Sequence, residues 1–297
     1  MAALDRSRKE LTLEKDILTV IAEASGNFSK SQKKISQYII ENYDKAAFMT
    51  AVRLAHFVGV SESTVVRFAG ELGYDSYPQM RRALQDMIRN KLTSVQRIKV
   101  AKDIMDSSDI LTHVLSSDID KIRQTMEEAD SGEFAQAVEA IVQAKNIYII
   151  GMRSSSFLAS FMGFNFGLIF NNSRLITECP DNEVFERLLM LSEGDVLIAI
   201  SFPRYSKRTL KAMQYARDVG AKIIGITDGQ LSPLVNLADI LLFSRSDMIS
   251  FLDTLVAPHS LVNALIVAVS EKAPVDLYAR FERLEQIWDE YGVYEQI

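Results

Sequence analysis

Two hydrophobic rhythms divide this chain. Over the first hundred residues apolar positions recur at intervals of three and four, and after residue 145 they fall into short unbroken runs separated by helical stretches. The first rhythm predicts helices and the second predicts strands buried on both faces. Residues 1–24 read as a lead-in or first helix, with Leu11, Ile17, Leu18 and Ile21 as its apolar set. Phe28-Ser29-Lys30-Ser31 opens a helix carrying Ile35, Tyr38, Ile39 and Tyr43, with Lys30, Lys33 and Lys34 on its other side. Between Thr50 and Tyr74 the pattern predicts two short helices around a tight turn. The first, about residues 51–58, turns Val52, Ala55, Phe57 and Val58 inward. Gly59 stands where a C-terminal cap favours positive φ, Val60 packs back, and Ser61 is a strong N-cap for the second helix. Val65, Phe68, Ala69 and Leu72 give that second helix one buried stripe. A further helix follows Tyr77 and Pro78, with Met80, Leu84, Met87 and Ile88 inward. Residues 93–144 read as helix with a break at Ser131-Gly132.

The second rhythm predicts strands at 146–150, 174–177, 195–200, 222–227 and 239–243. Helical stretches lie between them at 154–170, 183–191, 206–219 and near 233–236, and two more at 254–270 and 274–289 close the chain. Alternating strands and helices mean a parallel sheet covered on both faces. The expectation is therefore an all-α N-terminal domain followed by an α/β domain with a five-stranded parallel sheet. The boundaries expected are 13–92 for the first domain, 93–130 for a helical linker, 131–280 for the second domain and 281–297 for a C-terminal helix or tail.

Charge sharpens this division. Residues 1–99 carry 16 Lys and Arg against 11 Asp and Glu, whereas residues 100–297 carry 17 against 28. A basic module on an acidic body is the footprint of nucleic-acid binding confined to one part of a chain. Two short helices around a glycine turn, the second with a polar front, form a helix-turn-helix, in which the start of the second helix enters the major groove. Glu62, Ser63, Thr64 and Arg67 stand on that front; Arg reads guanine through two hydrogen bonds, and the hydroxyls reach phosphates or base edges. The same pattern also suits a helical hairpin with no DNA role. The lone Cys179 excludes an intrachain disulfide framework and a cysteine-based zinc site. The charged N-terminus is no signal peptide, and the most apolar run, 157–170, is too short and too broken by Ser160, Gly163, Asn165 and Gly167 to span a bilayer. A cytoplasmic protein without membrane contact is expected.

Two strand exits concentrate chemistry. Gly151-Met152-Arg153-Ser154-Ser155-Ser156 follows the first strand, and Ser201-Phe202-Pro203-Arg204-Tyr205-Ser206-Lys207-Arg208-Thr209 follows the third. Each supplies hydroxyls, a cation and a helix N-terminus at the end of the sheet where ligands bind, a combination suited to a phosphate. Helix capping by itself also accounts for some of these serines. There is no P-loop and no GxGxxG fingerprint, and nothing calls for a cofactor or a metal. An enzyme would need Glu178, Asp181 or Glu183 and His259 to converge on a sugar, and no spacing ties them, so no catalytic set is assigned.

GVSESTVVRFAGELGY, followed in order by IIGMRSSS, AISFPRYSKRT and KIIGITD, resembles the RpiR-type transcriptional regulators, which join a helix-turn-helix domain through a helical linker to a SIS (sugar isomerase) domain. The resemblance spans roughly residues 13–280. It implies a DNA-binding regulator whose SIS domain binds a phosphosugar or a related anionic metabolite, and which forms a homodimer or homotetramer on a palindromic double-stranded operator. It implies DNA contacts at Ser61, Ser63, Thr64 and Arg67, and ligand contacts at Ser154, Ser155, Ser156, Ser201, Ser206 and Thr209. Many sugar-phosphate SIS domains read SxSGxT in the second loop, where this chain places Pro203 and Arg204. Arg204 is a cation suited to a more acidic ligand or to an internal ion pair. The alternatives to a regulator are a phosphosugar isomerase with a fused helical domain and an oligomerising scaffold.

Overall fold

A computed structural model describes residues 17–89, 95–98, 109–246 and 252–294. The chain divides into two compact units, Met1–Ser117 with Asp247–Thr254, and Asp118–Ser246 with Leu255–Ile297. No described helix is long and apolar enough to cross a membrane.

The first unit is helical: α1 Ile17–Ala24, α2 Lys30–Glu41, the single turn α3 Tyr43–Ala46, α4 Ala51–Val58, α5 Glu62–Glu71 and α6 Tyr77–Arg89. Leu11, expected in the first apolar set, lies outside the described residues. Helix α2 starts at a capping box, in which Ser29 Oγ accepts from Gln32 N while Gln32 Oε1 accepts from Ser29 N. Ile35, Ile39, Leu54, Val65, Phe68, Met80, Leu84 and Ile88 fill the core. One expectation fails in α4. Val52 and Phe57 are 59% and 54% exposed, and Leu54 takes the inner position at 1%. Six of the eight residues of α4 are apolar, so several faces compete and the packing of neighbouring helices decides among them. Two hydrogen bonds fasten α6 to the segment before α4: Tyr77 Oη donates to Met49 O at 2.9 Å in a buried contact, and Gln85 Nε2 donates to Ala47 O at 2.8 Å in a half-buried one. Burial pushes the Tyr77 phenol up to about 12, against a smaller opposing pull from Arg81.

The helix α7, Ile110–Glu128, and α8, Ser131–Gln143, precede the sheet. Their break falls at Ala129-Asp130 rather than at Ser131-Gly132, because the Asp130 carboxylate caps α8 by accepting from Gly132 N and Glu133 N. Then come β1 Ile147–Gly151, α9 Ser155–Ile169, β2 Ser173–Ile176, α10 Asp181–Leu188, β3 Val196–Ile200, α11 Lys207–Asp218, β4 Lys222–Thr227, a 3-10 turn Pro233–Asn236, β5 Ile240–Phe243, α12 Val256–Lys272 and α13 Leu277–Tyr291. All strand pairs are parallel, in the order β2-β1-β3-β4-β5. Successive side chains alternate between two cores. Ile147, Ile149, Val196, Ile198 and Ile200 pack with α8, α9 and α12, while Tyr148, Ile150, Leu197 and Ala199 face α10 and α11. Arg280 of α13 donates to Ile169 O at 3.2 Å and to Asn171 Oδ1 at 2.8 Å, which holds the last helix to the end of α9. At the far edge of the sheet, Glu133 Oε2 of α8 accepts from Leu241 N of β5 at 3.1 Å.

Candidate functional site

The turn between α4 and α5 follows from two residues. Gly59 takes φ 71°, ψ 44° at the end of α4, a left-handed conformation without penalty for glycine, and Ser61 in extended conformation caps α5. Ser61 Oγ accepts from Thr64 N at 3.3 Å and lies 2.9 Å from Ser63 Oγ and 2.7 Å from Thr64 Oγ1. Three hydroxyls thus form one linked cluster at the start of α5, with Ser61 and Ser63 exposed. Arg67, one turn on, is exposed and its Nε donates to Ser63 O at 3.3 Å. That bond leaves the terminal nitrogens of the guanidinium turned to the surface, where a two-pronged contact needs them. The four residues expected to contact DNA stand together in the cap and first turns of one helix, with Ser61, Ser63 and Arg67 exposed and Thr64 half-buried.

In the second unit the crossover from β1 leads to β2 on one side and the crossover from β3 leads to β4 on the other. The strand order therefore reverses between β1 and β3, and open α/β sheets bind ligands in the crevice at the carboxyl ends of such a switch point. Both serine-bearing loops follow these two strands. Gly151 is required by close approach: a Cβ there would lie 2.5 Å from Ser155 O and 2.8 Å from Ala159 Cβ. The start of α9 can press onto the end of β1 only because that side chain is missing.

Within the first loop, Arg153 adopts φ 57° without being glycine. Ser154 occupies the cap position of α9 with helical dihedrals and makes no side-chain cap, so capping does not account for it. Ser155 is buried, and its hydroxyl forms no hydrogen bond among the described residues. Ser156 Oγ donates to Arg153 O at 2.6 Å and lies 3.4 Å from Glu178 Oε1. Glu178, just past β2, is the second non-glycine residue at positive φ, 43°. Left-handed backbone at side-chain-bearing residues is costly, and the two instances found here flank one end of the sheet.

The second loop is tied more tightly. Ser201 Oγ accepts from Ser206 N at 3.2 Å, and Ser201 O receives Thr227 Oγ1 at 2.8 Å. Ser206 caps α11 by accepting from Thr209 N at 3.4 Å. Tyr205 Oη donates to Asp228 Oδ1 at 2.8 Å. Arg208 Nη1 donates to Cys179 O at 2.9 Å, fastening the loop after β2 to the first turn of α11. Arg204 is exposed, and no ion pair to a described carboxylate holds it. Thr209 differs from the other hydroxyls of this loop: it is fully buried, and among the described residues its Oγ1 has no hydrogen-bond partner. A buried hydroxyl without a partner costs about 1–3 kcal/mol, a cost removed when a ligand or water supplies the missing contact.

No contact among the described residues joins the groups an isomerase would use. Glu178 stands beside Ser156, Glu183 pairs with Arg187 at 3.5 Å, and His259 packs at a tilt against Phe161 with ring centroids 4.3 Å apart. Among the described residues no hydrogen bond joins His259 to any of these carboxylates. Gly151 and Tyr205 were expected in the two loops but without these roles, and the contacts of Thr227 and Asp228 were not expected. Gly151 had a sequence signal, a glycine between an apolar strand and a hydroxyl-rich helix start, whereas the Tyr205–Asp228 contact spans 23 positions and leaves no local trace.

A helix-turn-helix joined to an α/β domain with a five-stranded parallel sheet is the architecture of an HTH-type transcription regulator. The comparisons agree. Residues 15–91 match the helix-turn-helix domain of the rpiR family, and residues 140–268 match the SIS domain. An HTH-type transcriptional regulator of Caldanaerobacter subterraneus is 24% identical over 280 residues, covering 92% of this chain and 96% of its own. Another from Clostridium perfringens is 27% identical over 212 residues, covering 71% and 75%. Among solved structures, the sugar isomerase domain of an RpiR transcription factor from Sphaerobacter thermophilus superimposes with TM-score 0.57 at 24% identity, covering 60% of this chain and 99% of that one. NanR of Vibrio vulnificus, complexed with ManNAc-6P, gives 0.57 at 23% identity over 93% and 98%. The chain belongs to the RpiR family of transcriptional regulators.

Proposed function

We propose that this protein is a cytoplasmic, non-enzymatic regulator that binds a palindromic double-stranded operator as a homodimer or homotetramer, and whose SIS domain binds an anionic sugar derivative at the β1/β3 crevice. The observation that carries the ligand reading is the Thr209 hydroxyl, buried and unpartnered among the described residues, in the first turn of α11, the helix that follows β3 at the reversal of strand order. Helix N-termini favour anions through free N–H groups and the dipole. Ser154, Ser155, Ser156, Ser201, Ser206 and Thr209 supply the neutral contacts. Arg204 stands at the open side of the second loop, where it suits a second acidic group on the ligand. The complex of NanR with ManNAc-6P supports a phosphosugar as the class to test first.

DNA recognition falls to Ser61, Ser63, Thr64 and Arg67, with Arg67 reading a base and the hydroxyls positioning the helix on phosphates. Ligand binding alters operator affinity by as much as it favours one protein state over the other, typically about 1–3 kcal/mol. The test is a thermal-shift screen of phosphosugars, sugar acids and other anionic metabolites, since a ligand that binds only the folded state raises the midpoint. A hit on the wild type that disappears in Ser155→Ala supports the reading. A hit that survives both Ser155→Ala and Thr209→Val places the ligand elsewhere.

A further inference from the structure

The outer surface of α5 carries two rows of side chains. Ser63 and Arg67 form one, and Glu62, Val66 and Gly70 form the other, each at the helical spacing of neighbours on one face. All of them are exposed, while Val65, Phe68 and Ala69 are buried on the opposite face. The rows differ in chemistry. The first offers hydroxyl and guanidinium donors, which suit phosphate oxygens and guanine alike. The second offers no side-chain donor, because the Glu62 carboxylate has only acceptors and valine and glycine have no polar side-chain atom. Set against a phosphate, this row would oppose charge to like charge. On DNA it therefore lies over base edges and not along the backbone.

Val66 is 46% exposed, next to Val65 at 0%. A single exposed valine is ordinary, but the surroundings of this one are not. A helical side chain leans toward the N-terminal turn, which sets Val66 over the turn of Glu62 and Ser63, the part of a helix-turn-helix that enters the major groove. A β-branched side chain is held there to one rotamer, so little freedom is lost on contact. On the other side of Val66 the helix is bare. A Cβ built at Gly70 meets no described atom within 4 Å, and Gly70 is not among the glycines at positive φ. Neither packing nor backbone geometry calls for glycine at this position, although glycine weakens a helix relative to alanine. The missing side chain leaves α5 open to close approach beside Val66. The apolar group that a base pair presents in the major groove is the 5-methyl of thymine.

We propose that Val66 is a specificity-determining residue that takes the 5-methyl group of a thymine, one in each half-site of the operator. This rests on the operator-binding reading and names a base which that reading leaves open. In the test, full-length protein selects its site from random-sequence duplex DNA, and each thymine of the enriched consensus is then replaced by deoxyuridine, which removes the methyl and keeps the hydrogen-bonding edges. At one symmetry-related position the replacement weakens wild-type binding at fixed salt by about fourfold per half-site, the factor that burying one methyl group supplies. Val66→Ala, which shortens an exposed side chain and favours the helix, loses a similar factor on the thymine duplex and no longer separates thymine from uracil. Val66→Ile keeps the discrimination. A consensus without a uracil-sensitive thymine overturns the inference. So does a sensitive thymine to which Val66→Ala responds as strongly as the wild type, because the methyl then belongs to another residue. A selection that enriches no sequence sinks the operator reading and Val66 with it. A consensus whose guanines respond to Arg67→Ala, while its thymines tolerate uracil, removes Val66 alone.

Discussion

Ser61 and Ser63 stand in water at the start of α5, while Ser155, Ser156, Ser201 and Thr209 are withdrawn from it at the carboxyl edge of the sheet. The side chains are the same and the energetics are opposite. An exposed hydroxyl always has water, so the Ser61–Ser63–Thr64 cluster holds its geometry at little cost and can exchange water for phosphate. A buried hydroxyl must find its partner inside the protein or in a ligand. Ser156, Ser201 and Ser206 find protein partners, and among the described residues Ser155 and Thr209 do not. The comparison teaches where selectivity resides: the DNA front is organised by local capping, and the sheet edge by a shortage of partners.

The comparison can be broken most forcefully at Gly151. Gly151→Ala drives a methyl against Ser155 O and is expected to cost about 2–4 kcal/mol in urea unfolding, because both contacts are to the packed start of a helix. A loss under about 1 kcal/mol would mean that the junction of β1 and α9 yields, and that the crevice is less fixed than described. Next in size, Arg67→Ala is expected to weaken specific operator binding by about 1–3 kcal/mol with little loss on unrelated DNA, measured by titration at fixed salt. An equal loss on all sequences would reassign Arg67 to phosphate. Ser61→Ala removes the cap of α5 and is expected to destabilise the first unit by about 1 kcal/mol, lowering DNA affinity as the helix start frays. The smallest effect has the opposite sign. Thr209→Val keeps the shape and deletes the unpartnered hydroxyl, so the ligand-free protein should be unchanged or up to about 1 kcal/mol more stable, while the thermal shift with ligand is lost. A clear destabilisation of the ligand-free protein would show that Thr209 already has a partner.

The fold was legible because local and global signals agree. The five apolar runs became the five strands with ends shifted by about one residue, since a strand buried on both faces shows its whole length as Val, Ile and Leu. The helix-turn-helix was legible from Gly59 and Ser61, where backbone geometry demands those residue types. Legibility failed where packing between elements decides. Leu54 rather than Val52 or Phe57 points inward because an eight-residue, mostly apolar helix has no dominant face of its own. The break before α8 moved to Asp130 because an acid that satisfies two N–H groups outweighs a glycine that satisfies none. At the candidate site the two loops were readable as loops, but the division of their serines into capping, tied and unpartnered hydroxyls was not. Ser154 and Ser206 look alike in sequence; the second caps its helix and the first does not. The role of Glu178 beside Ser156 depends on contact across 22 positions and on positive φ, neither of which a residue type announces.

The bond from Leu241 N to Glu133 has a consequence for how this protein avoids its own misassembly. β5 ends the sheet, and an end strand presents a row of backbone groups to which any extended segment can add, including one from a nascent or damaged copy. Glu133 places a carboxylate on that row. An incoming strand would have to displace it and strip it of water or bury it uncompensated, which makes strand addition costly at the exposed end of the sheet. The carboxylate thus opposes the first addition from which a growing cross-strand ladder would start.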